Sequence, residues 1–469
     1  MSKTNSMLCV LLLAAVFSFA QDQSSDKGGK VVLPEGLSLI PHAYAHMEAG
    51  EIEQGSLKND DIATNNGNYG IDHVWTEDAD LEGGFTAIYK DRLKMEFSLG
   101  AKLYFSYPVF LGHDQYTKYL RQDIYFDQAY AQYHLGDAAM PLFLAQVGYF
   151  KFKYNPEVVN LGEYMFRTGT YPIWFNMGFD TPWQRLLGFH VQDNFFKSLK
   201  IDLLLTSATV WPTMNWALAA LANYDIAALH FINIGAGVDF EHLFDVYTDR
   251  YFGSGTGDPT QPKSGNYNAQ YIQNGDTLWY TFKGTKVMGR ITIDPKAFFH
   301  SKIFGENDLK LYAEADLIGV ENYPDSGLPQ GSPTLTLVAP SYNKWQEKMP
   351  IAIGFYFPTF KVLDALDGEI EWFGAKYYND ASNQFGKGSE PLPYSVQVQL
   401  TDPNAPVKSQ IKWSVYAKKS FFDGHFAITG QIGRDHMTLP CAAYSYEYWN
   451  ELLVTANDWW WILKTSWMF

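Results

Sequence analysis

The chemistry this chain offers rests on charged side chains set two residues apart. In 93–107, Lys94, Glu96 and Lys102 alternate with Met95, Phe97, Leu99 and Leu103; in 308–320, Lys310, Glu314 and Asp316 alternate with Leu309, Leu311, Ala313 and Leu317; in 409–420, Lys412 and Lys418 alternate with Ile411, Trp413 and Val415. Residues two apart share one face of an extended strand, so each segment carries one charged and one apolar face. A charged face set against water supplies a fixed field to ions and polar solutes. Catalysis asks for more, a nucleophile or activated water beside an oriented base. The 11 histidines are scattered. His113 beside Asp114 and His436 beside Asp435 read as surface polar pairs, and His134 as a hydrogen-bonded inward residue. No His-x-x-Glu-His, Gly-x-Ser-x-Gly or phosphate-cradling sequence occurs, so the chain reads as a non-enzyme that needs no cofactor.

Metal and redox chemistry have little to work with. An apolar core at 7–19 follows Lys3 and ends at the small-x-small site of Ser18 and Ala20, the pattern of a cleaved export signal. Cys9 lies inside that core and not at the cleavage point, which argues against a lipid anchor. Cys441 is then the one thiol of the mature chain and forms no internal disulfide or metal cluster. The acidic run from Glu48 to Glu82 contains Lys58 as its sole basic residue. Its carboxylates have no regular ligand spacing, so it reads as a solvated loop and no metal site is designated. A net charge of −16, one unit more negative once 1–20 are removed, makes nucleic acid a poor partner.

The elements that position the charged faces are strands. Beyond the export signal no apolar stretch reaches the ~18–20 residues of a spanning helix. The nearest, 203–229, is interrupted by Pro212, Asn215, Asn223 and Asp225 and reads as strand, connection, strand. Segments of about ten residues with period-2 alternation are the mark of a transmembrane β-barrel, and aromatic residues at 17% suit its interfacial girdles. The expected strands are 37–48, 83–90, 93–107, 124–136, 141–154, 198–211, 225–241, 277–293, 308–320, 350–360, 367–379, 409–420, 425–436 and 458–469. The links between them alternate long and short along the whole chain. The long ones are 49–82, 108–123, 155–197, 242–276, 321–349, 380–408 and 437–457; Asp423 and Gly424 make one of the tight turns. A soluble sandwich has no reason to sort its links this way. The fold expected is all-β, a transmembrane antiparallel barrel of about 14 strands, or 16 if 155–197 hides a further hairpin at 162–171 and 183–191. Residues 1–20 are the export signal, 21–36 a short periplasmic segment and 37–469 the barrel, with both termini periplasmic.

Closure turns the polar face inward, because a charge facing lipid costs ~2–4 kcal/mol at the midplane. The expected lining is Lys94, Glu96, Lys102, Gln128, Gln132, His134, Asn233, Arg290, Lys310, Glu314, Asp316, Lys412 and Lys464, of both signs. It suits a water-filled pore or, alternatively, charges paired across a plugged barrel.

The chain end resembles the terminal strand of Gram-negative outer-membrane barrels: Trp459, Trp461, Leu463, Trp467 and Phe469 share a face, while Lys464 and Ser466 share the other. In that family such an end is read by the barrel assembly machinery. The resemblance therefore implies that machinery and outer-membrane lipid as partners, and it allows a homo-oligomer. General porins, to which the chain is similar, fold their third outer loop inward as a constriction. The corresponding link here is 155–197, which makes Glu163, Arg167, Asp180 and Arg185 constriction candidates; the alternative is an outer loop whose charges pair locally. The implied function is a porin-like channel for passive diffusion of small hydrophilic solutes. The other reading is a structural or adhesive surface protein that binds glycans or cations through its long loops.

Overall fold

The alternating segments close on themselves. A computed structural model describes residues 35–55, 73–106, 121–137, 141–167, 183–196, 198–207, 215–226, 229, 231–245, 267–273, 276–281, 284–298, 302–320, 345–374, 409–437 and 453–469. Its strands are β1 (Leu37–Gln54), β2 (Val74–Tyr89), β3 (Leu93–Ser106), β4 (Arg121–Gly136), β5 (Pro141–Phe152), β6 (Gln184–Phe196), β7 (Leu199–Ser207), β8 (Asn215–Asp225), β9 (Ile232–Asp245), β10 (Tyr267–Gln273), β11 (Asp276–Thr281), β12 (Gly284–Ile293), β13 (Leu311–Ile318), β14 (Ile351–Tyr356), β15 (Ala365–Trp372), β16 (Ile411–Phe421), β17 (Phe426–Arg434) and β18 (Trp459–Met468). All but β10 and β11, which form their own hairpin, make one closed antiparallel barrel of 16 strands. Each barrel strand pairs with the next barrel strand in the chain, β9 with β12 across the separate hairpin, and the seam is closed by β18 on β1, from Tyr44 opposite Met468 to Gln54 opposite Trp459.

The outside of this wall is apolar. Ile124 (58% exposed), Phe126 (56%), Ile370 (57%) and Leu463 (51%) stand out from it, with Phe97, Val147, Leu187, Leu203, Val287, Ile353 and Ile432 at the same parity on other strands. A continuous apolar belt around a closed sheet suits lipid, not water. Closure also leaves no edge strand, so each strand's ladder groups find partners across the wall.

Sixteen is the larger of the two strand numbers expected, and the extra pair is instructive. One added strand, β6, lies in the link 155–197; the other, β8, lies in 212–224, the connection between the expected strands 198–211 and 225–241. Of the hairpin suggested at 162–171 and 183–191, the second part overlaps β6, while Tyr164–Arg167 is a single helical turn, α1. Adding β6 reverses the direction of the strand near 200, and adding β8 restores the direction of every later strand. The alternation of long and short links survives both omissions, which is why it could not detect them. The strand β7 thus runs opposite to the expected sense, and its link to β8 falls at the long-loop end of the barrel.

A second correction concerns the acidic run. Glu48 to Gln54 extends β1, and Val74 to Glu82 opens β2; these are wall, not solvated loop. Glu51 and Glu53 point to the outer side, and Glu48, Asp78 and Asp80 to the inner side. With acid on both faces the alternation of apolar and polar residues vanishes, and that is what a strand standing beyond the lipid belt looks like in sequence.

Candidate functional site

The interior is built from two kinds of residue: the inward parity of the strands, and the loop that follows β5. That loop enters the barrel and crosses to the wall of β12–β15. Tyr154 Oη donates to Glu314 Oε1 (2.6 Å) and Asp316 Oδ2 (3.2 Å), and Asn155 Nδ2 donates to Glu314 Oε2 (2.7 Å). The Glu369 carboxylate receives three successive backbone N–H groups, from Val159 (2.7 Å), Asn160 (2.9 Å) and Leu161 (2.7 Å). Tyr164 Oη donates to Glu371 (2.6 Å), Asn160 Nδ2 to Asp435 (2.7 Å) and Lys286 Nζ to the Met165 carbonyl (2.6 Å). Hydrogen bonds to a charged partner contribute ~1.5–3 kcal/mol each, so this set fixes the loop. The turn at Gly162 (φ +109°) has room for no side chain, because a Cβ would come 2.8 Å from Val158 and 3.2 Å from the Glu314 carboxylate.

Under the loop lies an apolar core inside the barrel. Phe150, Phe152, Tyr154, Met165, Leu204, Ala219, Leu221 and Met288 pack together. Leu203 and Leu218 face outward on β7 and β8, while Leu204, Ala219 and Leu221 face this core. Both faces of these strands are therefore apolar, which is why 203–229 read as a nearly continuous apolar run with no period.

The constriction candidates separate. Glu163 and Arg167 are in the inward loop, 0% and 3% exposed. Glu163 Oε1 accepts the Asn155 N–H, and Arg167 Nη1 donates to the Asn160 carbonyl (2.5 Å). Burial and the neighbouring Glu314 carboxylate push Glu163, which lies outside the spanning strands, up to about 8. Arg185 belongs to β6, not to the loop; with Lys151 it converges on Asp127, each at 2.7 Å. Asp180 lies outside the described residues, as does Cys441.

The strand residues expected to line the interior fall into two groups. Along β13–β16 they are enclosed: Glu314 (1%), Asp316 (0%) and Lys412 (0%) are buried. Lys412 is held by the carbonyls of Asp435 and Leu453, and Lys310, just before β13, pairs with Glu157 of the loop at 3.2 Å. Arg290, 7% exposed on β12, reaches Asn223. Along β1–β4 three inward cationic or imidazole side chains keep contact with water, Lys94 (36% exposed), Lys102 (26%) and His42 (34%), while the carboxylates beside them, Glu48, Asp78, Asp80 and Glu96, are buried. Glu96 accepts from Thr86 (2.6 Å) and pairs with His42 (3.0 Å). His134 is inward and buried, and Lys464 stands opposite Glu48 across the seam. Of the chain-end residues, Trp461 has its indole N–H on Glu53 (2.8 Å), Trp467 packs on Phe426, and Leu463 and Phe469 are exposed.

Several inward residues escaped the sequence reading. Asp367, Glu369 and Glu371 alternate with Gly368, Ile370 and Trp372, so their period was visible. Asp78, Asp80 and Glu82 were hidden by the reading of 49–82 as a loop. At Asp127 the register between β3 and β4 shifts, and a bulge changes which parity faces inward. Tyr125, before the bulge, donates to Asp80 (2.6 Å) and Glu82 (2.9 Å) and lies across Gly100, where any Cβ would strike its ring.

No family model matches the sequence, and no curated protein does. Among solved structures the chain is similar to a mutant porin of Rhodopseudomonas blastica, at 8% identity and a TM-score of 0.41, covering 92% of this chain and all of that one. It is also similar to the high-pH structure of Pseudomonas putida OprB, at 10% identity and a TM-score of 0.44, covering 92% of this chain and 94% of that one.

Proposed function

We propose that this protein is an outer-membrane channel for passive diffusion of small hydrophilic solutes, with the ends of β1 and β18 on the periplasmic side. The observation that carries the reading is the contrast within one wall. Lys94, His42 and Lys102 on β1–β3 retain water contact, whereas Lys286, Asp316, Glu371 and Lys412 on the opposite side are 0% exposed beneath or beside the loop. Among the described residues the loop and its apolar core lie against β5–β8 and β12–β15, and the inward charges of β1–β4 form a charged lane away from them. A charged inner wall with the surrounding low dielectric selects among ions by sign. Six carboxylates, Glu48, Asp78, Asp80, Glu82, Glu96 and Asp127, stand there against five cations, Lys94, Lys102, Lys151, Arg185 and Lys464, so the lane has a small acidic excess that favours cations.

Planar-bilayer recording tests this. The purified protein is expected to give discrete conductance steps with a cation-selective reversal potential in a salt gradient. Asp80→Asn with Glu82→Gln should move that potential toward zero. A folded barrel that gives no conductance would end the channel reading.

A further inference from the structure

Inside the barrel, at the row where β1 meets β2, two carboxylates face each other and an imidazole stands one inward step away. Glu48 is the direct cross-strand partner of Asp78, and His46 that of Asp80. Like charges placed directly opposite on a sheet repel. His46 Nε2 lies 3.8 Å from Glu48 Oε2 and 3.7 Å from Asp78 Oδ1. Those separations are too long for hydrogen bonds. They are close to the ~3–4 Å between donors that share one ion through bonds of ~2.0–2.2 Å. All three ligand atoms lie within 4.8 Å of one another. Glu48 and Asp78 are 5% and 8% exposed, and Asp78 Oδ1 is buried without a hydrogen-bond partner. His46 Nδ1 has none either. Lys102 reaches the other Asp78 oxygen at 3.2 Å and Lys464 stands opposite Glu48, so part of the negative charge is already balanced while the Oδ1 side is left facing the imidazole.

We propose that His46, Glu48 and Asp78 form a binding site for a divalent cation on the inner wall of the barrel. One nitrogen and two carboxylate oxygens suit a borderline ion of the Zn²⁺, Co²⁺ or Ni²⁺ kind, since Ca²⁺ and Mg²⁺ take oxygen alone. Three protein donors leave at least one coordination position for water or a passing solute. The ligands come from β1 and β2, so the ion would also tie these two strands together beside the barrel seam.

A second triad on the same hairpin, Glu51, Glu53 and His73, is exposed at the loop end, with the His73 side chain 74% exposed. The test must distinguish the two. Zn²⁺ is titrated calorimetrically into the full-length barrel in detergent, in parallel with His46→Gln, Asp78→Asn and His73→Gln, each first shown to be folded by its heat-modifiable gel mobility. The expected result is binding of one Zn²⁺ that His73→Gln leaves unchanged and that either His46→Gln or Asp78→Asn weakens at least tenfold. Unchanged Zn²⁺ binding in whichever of those two variants folds would overturn the proposal. So would loss of binding in His73→Gln alone, or a wild-type barrel that binds no Zn²⁺. The readout is binding, so it stands whether or not the barrel conducts.

Discussion

Single residues fasten this molecule at a turn of the barrel and in the inward loop. Asp308 lies in the link between β12 and β13 and holds the neighbouring turn: its carboxylate accepts from Gly305 N–H (2.8 Å), Thr359 Oγ1 (3.0 Å) and Phe360 N–H (3.1 Å). Burial by itself would raise its pKa, but these hydrogen bonds outweigh it and hold the carboxyl below its ordinary value. A depressed pKa means that the folded state gives up the proton more readily than the unfolded chain. The stabilisation is therefore complete above the ordinary value of about 4 and is lost as pH falls through the lower folded value. Asp308→Ala should cost about 2–3 kcal/mol in urea unfolding at pH 7, and the gap from wild type should narrow in acid. Glu163 works in the opposite sense. Its pKa is raised to about 8 by burial first and by Glu314 second, so between about pH 4.3 and 8 the folded protein keeps a proton that the unfolded chain has lost. Stability contributed by this group falls with rising pH across that window, by at most about 1.4 kcal/mol per pH unit. Glu163→Gln should flatten the slope of unfolding free energy between pH 5 and 8; an unchanged slope would show that the proton is held elsewhere.

Among the elements, the inward loop depends most on one side chain. Glu369 on β15 accepts from Val159, Asn160 and Leu161 and also from Tyr312 Oη (2.8 Å). Glu369→Gln keeps the shape but turns an acceptor into a donor that faces N–H groups. The loop should lose about 2–4 kcal/mol of docking free energy, read as faster proteolysis within 157–167 and as larger, noisier conductance steps. The loop's entry into the barrel was not legible in the residues between 153 and 167 alone. Glu163 and Arg167 became candidates through resemblance, and Arg185 was grouped with them in the 14-strand reading, while the 16-strand alternative already set 183–191 apart as a strand. The reason is physical: β6 alternates weakly, with Leu186 and Leu187 adjacent, since its inward face meets the apolar core of the loop and its outward face meets lipid.

At the scale of the whole molecule, stability depends on closing the ring. Trp460 sits on the inward face of β18 at the seam, fully buried, with its indole N–H on Asp435 (3.1 Å). Trp460→Ala should cost about 3–5 kcal/mol through the cavity it leaves, seen as a lower midpoint of urea unfolding and earlier loss of the compact band on heating. Closure is also what makes the inner charges tolerable: they face water or partners inside, while the belt outside meets lipid.

The sequence by itself determined that this chain is a membrane barrel, because period-2 alternation and the terminal-strand pattern are carried by each segment alone, and the sorting of link lengths needs only their order along the chain. It also determined the inward parity of Glu96, Glu314 and Lys412, since alternation within one strand needs no knowledge of its neighbours. The tertiary structure decided the rest. Whether β7 runs up or down, whether 74–82 is wall or loop, and which charges stay wet depend on what lies across the strand. A face that packs on the inward loop becomes apolar, one that stands beyond the lipid becomes polar, and in both cases the period that marks a strand disappears from the sequence.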